Sequence, residues 1–132
     1  MSVTFTNNFA EVKDLIEEKA TAFLHEATAE LLAQTIQNSA TQTGATKRSW
    51  RNEVEGSVGV VGSTSINAVY EEFGTGEYAL NGNGRKTAWR YKDIYGNWHT
   101  TKGKKPKRML FKAFESKKPF IEKRLAQLLK EV

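Results

Sequence analysis

The chain has 132 residues, a formal net charge of +5 and no cysteine. This length predicts one domain with a core of its own, and the lack of cysteine excludes disulfides, thiolate metal sites and cysteine nucleophiles. No apolar run approaches the roughly 20 residues that cross a bilayer, and the first residues lack the basic and apolar regions of a secretory signal. We therefore expect a cytoplasmic, reducing environment.

The charge is distributed unevenly along the chain. Residues 1–40 carry six acidic and two basic side chains, and residues 41–83 carry five and three. Residues 84–132 carry four acidic and fifteen basic side chains, a net charge of +11. A chain that is acidic in front and basic behind can pair with copies of itself, with nucleic acid or with an acidic partner.

A long helix is predicted over residues 8–43. Residues 9–42 contain neither glycine nor proline, and apolar residues recur there at spacings of three and four. Asn7 or Asn8 can cap its start, and Thr43-Gly44 is the predicted end.

A β-hairpin is predicted over residues 47–62. Apolar and polar residues alternate with period two on both sides of Glu55-Gly56-Ser57, which is a turn signal, so the strands are expected at 47–54 and 57–62. For the following segment, 68–73, a helical turn and a short strand both remain open.

A loop and a second hairpin form a predicted arm over residues 74–106. Aromatic and β-branched residues at 89–93 and 98–101 flank a Gly96-Asn97 turn. A basic loop then leads to a predicted helical segment over residues 107–132. Pro106 suits the first turn of the first helical piece, which spans 107–115.

The C-terminal residues predict a separate last helix. Ser116 can cap it, with Pro119 in its first turn. The whole chain is thus predicted to be an α+β domain spanning residues 1–132. It has a long N-terminal helix packed on a small antiparallel β-sheet, an inserted β-hairpin arm and a C-terminal helix.

The sequence contains no residue pattern that indicates catalytic activity. His25 and His99 lack a Ser/Asp pair at nucleophile spacing, and the adjacent carboxylates Glu71 and Glu72 point in different directions in a helix or a strand. The glycines between 74 and 84 do not have the spacing of a phosphate-binding loop. We therefore predict no enzyme, and no catalytic, cofactor or metal site.

Basic and aromatic residues alternate in the arm, as they do in proteins that bind single-stranded nucleic acid. No signature of a known nucleic-acid module accompanies them. A solvated basic loop remains at least an equal alternative, and a third is a basic surface facing DNA without sequence readout or the acidic helices of neighbouring subunits. The residues concerned are Trp89, Arg90, Tyr91, Lys92, Trp98, Lys102, Lys104, Lys105, Lys107 and Arg108.

Three motifs, in this order, carry a resemblance to a known family. Residues 43–50 (Thr-Gly-Ala-Thr-Lys-Arg-Ser-Trp) are similar to Thr-Gly-x-Leu-Arg-x-Ser, and residues 68–75 (Ala-Val-Tyr-Glu-Glu-Phe-Gly-Thr) to Tyr-Ala-x-x-Val-Glu-Phe-Gly-Thr. Residues 89–114 are similar to a Trp/Tyr, Asp-x-x-Gly-Asn and Thr-x-Gly-x-x-Pro run that precedes an apolar segment. Together they resemble the small tail-component proteins of long-tailed bacteriophages, also called tail completion or head–tail joining proteins.

The resemblance implies a non-enzymatic virion protein that is present in the host cytoplasm during assembly. It would form a homo-oligomeric ring, most simply a hexamer, in the neck between the head connector or stopper and the tail terminator or tail tube. DNA would pass through the lumen. Residues 74–88 and 89–106 would become ordered on assembly, although an intrachain cluster of Trp89, Tyr91, Tyr95 and Trp98 remains an equal alternative.

On this interpretation, two sets of residues contact neighbouring subunits or partners. The predicted interface comprises Glu71, Glu72, Phe73, Gly74, Thr75, Trp89, Tyr91 and Trp98, and the basic arm comprises Lys102, Lys104, Lys105, Lys107 and Arg108. The alternative function is a small basic nucleic-acid-binding module that uses Arg90, Lys92, Lys104, Lys105 and Arg108.

Overall fold

The fold is α+β in a computed structural model that describes residues 2–3, 8–39 and 44–131. The prediction of a long N-terminal helix, small antiparallel β-structure and a C-terminal helix is confirmed. The helices are α1 (Phe9–Asn38), α2 (Gly44–Arg48), α3 (Ile66–Phe73) and α4 (Met109–Lys130), with a 3-10 turn at Gly76–Tyr78. The strands are β1 (Trp50–Glu55), β2 (Val58–Ser63), β3 (Trp89–Lys92) and β4 (Trp98–Thr101).

Helices α1 and α4 lie side by side and antiparallel. Between them, Ala20 and Phe23 of α1 line a small cavity with Leu125 and the buried Leu128 of α4. Polar contacts fix the register along the pair: Lys19 with Glu131 at 3.3 Å, Arg124 with Glu26 at 3.0 Å, and the Asn38 amide with the Met109 carbonyl at 3.0 Å.

The N-terminal end of α1 extends beyond α4. Because Ile16 still lines a cavity with Leu125, Leu128 and Leu129 of α4, the overhang is residues 9–15, about 10 Å at 1.5 Å per residue. All of these residues are exposed, including the apolar side chains of Val12 and Leu15. Asn8 occupies the N-cap position without a side-chain capping bond in the described part of the chain, and Asn7 lies outside that part.

Helix α1 ends at Asn38, earlier than the predicted residue 43. Ser39 is fully buried; its hydroxyl donates to the Thr35 carbonyl at 2.8 Å and accepts from Trp50 Nε1 at 3.0 Å. This contact with the core fixes where the chain leaves the helix, a tertiary constraint that local spacing does not encode. The predicted end at Thr43 lies outside the described residues, and Gly44 begins α2 rather than terminating α1.

The first hairpin is packed on α1. Strands β1 and β2 are antiparallel, with Trp50 opposite Ser63 and Glu55 opposite Val58. The predicted strand start at residue 47 is wrong, because residues 47–48 complete α2. Gly59 lies against α1 so closely that an added Cβ would come within 2.7 Å of Thr28 Cγ2, which explains the small residue there.

The hydrophobic core joins one residue from each of three elements. Trp50 of β1, Ala68 of α3 and Met109 of α4 are buried together, with Leu32 and Leu110 packed against them. The sequence left a helical turn and a short strand open for residues 68–73, and the structure shows that they belong to helix α3. Ala68 is buried because this helix packs against the core.

Helix α4 is continuous, so the predicted division into two helical pieces is wrong. Pro119 lies inside it, and Ser116 donates its hydroxyl to the Ala113 carbonyl instead of capping a new helix. A proline inside a helix costs about 3 kcal/mol. Ion pairs with the same face of α1 on both sides of Pro119, Lys117–Glu30 and Arg124–Glu26, help to hold the two halves in line.

Candidate functional site

Glu71 anchors the arm to helix α3. Its side chain is only 6% exposed, and its carboxylate accepts from Lys104 Nζ at 2.7 Å and pairs with Lys107 Nζ at 3.2 Å. Its backbone carbonyl also accepts the Lys107 N–H at 2.7 Å. One residue of the Glu-Glu-Phe-Gly-Thr motif therefore holds both ends of the basic loop, within one chain.

The pKa of Glu71 reflects two opposing effects. Burial by itself raises the pKa of this carboxyl, but the hydrogen bonds and positive charges of Lys104 and Lys107 outweigh burial and lower it below the ordinary value. Glu71 is thus ionised at neutral pH, and its negative charge offsets part of the positive charge of the basic loop.

Glu72 caps helix α4. Its two carboxylate oxygens accept the N–H groups of Leu110 and Phe111 at 2.9 and 3.0 Å, in the first turn of that helix. These donors have no partner inside the helix, and the helix dipole favours a negative charge at this end. Since Glu72 is only 5% exposed, its charge is compensated by these N–H groups and by Arg108, whose Nη1 lies 3.6 Å away.

Arg108 connects the basic loop to α4 in an unusual backbone conformation. Its φ of 55° places it in the left-handed region, alone among the described residues other than glycine. Its guanidinium lies 5.4 Å from the ring centroid of Phe73 and 4.4 Å from that of Phe111. The arginine thus contributes a cation–π contact to each helix as well as the ion pair to Glu72.

The base of the arm is a close crossing of two backbone segments. The Thr75 N–H donates to the Lys104 carbonyl at 2.9 Å, and the Lys104 N–H donates to Thr75 Oγ1 at 2.9 Å. A Cβ on Gly76 would overlap the Lys102 carbonyl, and one on Gly103 would overlap the Thr75 carbonyl. The Gly-Thr-Gly motif and Gly103 are therefore required by this crossing.

These contacts define the base of the arm within a single chain. The expectation that the whole of residues 74–106 becomes ordered only on assembly is therefore corrected for the base, which its own α3 already holds. The pairing of Glu71 with Lys104 and Lys107 is also intrachain.

The second hairpin presents a different set of rings on each face. Residues directly opposite each other share a face, so Tyr91 and His99 lie together with their rings stacked at 5.3 Å. Trp89 and Tyr91 line a cleft of about 590 Å³ that Tyr70 of α3 closes from the other side.

Trp98 lies on the opposite face of the hairpin and is 58% exposed. The Arg90 guanidinium is 5.1 Å from its ring centroid, and Lys92 Nζ is 6.0 Å away. Tyr95 lies at the turn. The four aromatic residues therefore occupy three separate places, and the alternative of one intrachain cluster is not what the structure contains.

The turn of this hairpin is fixed by Asp93. One carboxylate oxygen accepts the N–H groups of Tyr95 and Asn97 at 2.9 and 2.8 Å, and the other lies 2.7 Å from His99 Nε2. The bond to His99, then that to the Asn97 N–H, lower the pKa of Asp93 below its ordinary value. Ile94, beside this network, is exposed.

An apolar groove lies between α3 and α4, on the side of α3 that faces away from the arm. Its volume is about 450 Å³. Val69 and Phe73 of α3 and Phe111 and Phe114 of α4 contribute exposed apolar side chains to it. Its charged lining residues, Glu72 and Arg108, are paired with each other.

Most residues of the predicted interface and of the basic arm meet at the base of the arm, and the others lie elsewhere. Residues 71–75 contact Lys104, Lys107 and Arg108, whereas Lys105 lies over the Tyr78 ring at 5.7 Å and the Lys102 carbonyl accepts from Glu77 at 3.0 Å. Trp89 and Tyr91 line the cleft, and Trp98 does not.

Two roles were missed from the sequence, the capping of α4 by Glu72 and the turn network of Asp93. For Glu72 a signal exists, because residues 105–108 (Lys-Pro-Lys-Arg) offer no capping side chain immediately ahead of Met109. A helix start without a local cap points to a remote one.

Neither metal ligation nor a membrane-spanning helix is found in the described residues. No group of three or more His, Cys, Asp or Glu side chains there is arranged to hold a metal ion, and no helix there combines the length and apolarity needed to cross a membrane. Comparisons with protein-family models, with curated proteins and with solved structures find no match to this chain.

Proposed function

We propose that this chain is a structural protein of a bacteriophage neck. It forms a homo-oligomeric ring, a hexamer, that completes the tail end and joins it to the head connector, with DNA passing through the lumen. Its neighbours on the two faces of the ring are the connector or stopper and the tail terminator or tail tube. It acts by assembly and not by catalysis.

The observation that carries this proposal is the amount of apolar surface exposed at separate places on a small chain. One is the overhang of α1, with Val12 and Leu15; another is the groove with Phe73 and Phe114; a third is the arm, with Ile94 and Tyr95. Clustered exposed apolar side chains are typical of interaction surfaces. Several on one chain suit a subunit that has neighbours on more than one side.

The contacts between the resembling motifs also support it. The second and third motifs meet at the junction, where Glu71 holds Lys104 and Lys107 and Glu72 caps α4. The first motif supplies Trp50 to the core beside Ala68 of the second. Residues that carry the resemblance thus form one structural unit, from which the arm projects.

The charge pattern suits a ring of identical subunits. The N-terminal part of α1 carries Glu11, Asp14, Glu17 and Glu18, whereas the arm is basic. A closed ring requires two different surfaces of each subunit to meet, and opposite charges favour such a heterologous contact.

A nucleic-acid-binding module remains the second candidate because of Trp98. This exposed ring, with Arg90 and Lys92 beside it, offers a base a stacking surface and a phosphate a cation. Against this, Lys104 and Arg108 are paired with Glu71 and Glu72. Two of the five basic residues expected to contact nucleic acid therefore already have carboxylate partners.

The proposal is tested by assembly. Native mass spectrometry and electron microscopy of the chain, alone and with the head connector of the same phage, are expected to show a closed ring. Particles made without the chain are expected to accumulate as separate heads and tails. A chain that stays monomeric with connector and tail tube, and is absent from purified virions, would contradict the proposal.

Oligonucleotide binding separates the two candidates. Fluorescence anisotropy with a labelled single strand is expected to show weak binding that disappears at physiological salt. Saturable binding by the monomer at physiological salt, lost in Trp98→Ala and kept in Tyr78→Ala, would favour the nucleic-acid module instead.

A further inference from the structure

We propose that the tip of the second hairpin, Ile94 and Tyr95, inserts into the apolar groove between α3 and α4 of a second copy of this chain. This inference rests on the proposed ring and names the surfaces through which neighbouring subunits meet.

The tip is an apolar projection. Ile94 is 91% exposed and Tyr95 is 83% exposed, the two highest values among the large hydrophobic residues described. Hairpin turns are usually built from polar residues and glycine. Because Ile94 and Tyr95 do not pack in the core of their own chain, they are available for a contact with another molecule.

The tip is also held in one conformation before any contact forms. Asp93 accepts two N–H groups of the turn and pairs with His99, and its own N–H donates to the Asn97 carbonyl at 2.8 Å. A rigid apolar tip loses little conformational entropy when it is buried, which favours its use in binding.

The groove has the shape and chemistry to receive this tip. Its volume of about 450 Å³ is lined by apolar side chains, and Phe73, Phe111 and Phe114 remain partly exposed beside it. Arg108 lies over the Phe73 and Phe111 rings, where it offers a cation to a further aromatic ring such as that of Tyr95.

The carboxylates at the two surfaces already have partners within their own chain. Asp93, beside the tip, is paired with His99, and the charged groups of the groove, Glu72 and Arg108, are paired with each other. Insertion of Ile94 and Tyr95 therefore buries no unpaired carboxylate, and Lys92, next to Asp93 in the chain, lies beside the Trp98 ring.

The same chain carries both surfaces, and the exposure of Ile94 and Tyr95 shows that the tip does not fill its own groove. Insertion into a second copy is a heterologous contact, which repeats from subunit to subunit and closes into a ring when the rotation allows. One contact, between the tip of the arm and the groove, thus links the subunits of the proposed ring.

Engineered cysteines test this contact directly, since the chain has none of its own. Tyr95→Cys, carrying an affinity tag, is mixed with untagged Phe114→Cys in the presence of the head connector and oxidised. A tagged–untagged disulfide dimer is expected. Val69→Cys on the other wall of the groove serves as a second acceptor if Phe114→Cys folds poorly.

Two controls make the result specific. Ser57→Cys, in the turn of the first hairpin, is expected to give no dimer with Phe114→Cys above background. Val12→Cys tests the competing occupant, the α1 overhang. Cross-linking of the groove to residue 12 instead of residue 95, or no dimer with either groove variant, would overturn the inference.

A double variant, Ile94→Ser with Tyr95→Ser, measures the contribution of the tip. It is expected to raise the concentration needed for ring assembly by at least about tenfold, whereas Val58→Ser with Val60→Ser on the outer face of the first hairpin leaves it unchanged. Rings that form normally from the Ile94/Tyr95 double variant would refute the tip contact and leave the proposed function standing. A wild-type chain that forms no ring with the connector would refute both.

Discussion

The two β-hairpins of this protein are similar in size but differ in what surrounds them. The first is packed on α1, with Asn52 bonded to Thr28 at 3.2 Å and a polar turn at its tip. The second is joined to the body at its base and ends in two exposed apolar residues. A two-stranded hairpin is marginally stable alone. The first is stabilised by the core, and the second by the crossing at its base and by Asp93 at its tip.

This difference between the hairpins predicts which residues contribute to stability and which to contacts with other molecules. Residues that hold the first hairpin belong to the core, so their loss should unfold the chain. Residues at the base of the second hairpin connect it to α3 and α4, so their loss should affect both the fold and the arm. Residues at its tip should affect assembly alone.

The largest expected effect on stability is that of Gly76→Ala at the base of the arm. The added Cβ overlaps the Lys102 carbonyl and imposes a positive φ on alanine, which together cost about 3 kcal/mol. Gly82→Ala is the matched control, because its φ is also positive but no heavy atom lies within 4 Å of the added Cβ. Urea unfolding measures both, and equal losses would show that the crossing is not a tight contact.

Glu72→Ala is expected to destabilise the chain by about 2 kcal/mol, because two N–H groups of α4 lose their acceptor and Arg108 loses its partner. Glu72→Gln keeps one acceptor oxygen and should lose less. Hydrogen exchange at Leu110 and Phe111 should accelerate in both variants. Unchanged protection there would contradict the capping role.

Glu71→Gln is expected to cost about 1 kcal/mol at neutral pH, since the lysine partners are partly exposed. The folded-state pKa of Glu71 is below its unfolded value, so its stabilising effect is fully present above the unfolded pKa. It is lost as the pH falls through the folded pKa. The stability difference between wild type and variant should therefore disappear in acid, and a difference that grows in acid would contradict the assignment.

Asp93→Ala is expected to leave global stability almost unchanged, because the turn is exposed and its bonds are local. Its effect is local, and NMR should show the N–H groups of Tyr95 and Asn97 exchanging faster while signals of the first hairpin stay unchanged. A cooperative loss of both hairpins would show that the second is part of the core unit.

Local patterns in the sequence predicted much of the fold. The apolar spacing of α1 and the aromatic strands around Gly96-Asn97 were sufficient for those elements. The continuity of α4 through Pro119 and the end of α1 at Asn38 were not predictable in this way, because contacts between α1 and α4 and between Ser39 and Trp50 decide them.

The candidate site, like the fold, could be predicted from the sequence only in part. The Glu-Glu-Phe-Gly-Thr motif and the basic loop could be identified from residue types, but their pairing could not. That pairing is intrachain, because the crossing at Gly76 and Gly103 brings the loop back to α3. The groove could not be predicted, since its lining comes from residues far apart in sequence that meet only in the folded chain.

The central claim, that this chain is a ring-forming neck subunit, is tested most directly by native mass spectrometry of the chain mixed with the head connector. The proposal predicts a discrete complex in which six copies of the chain bind one connector ring. A connector that carries no copies, with the chain remaining monomeric at every ratio, would contradict it.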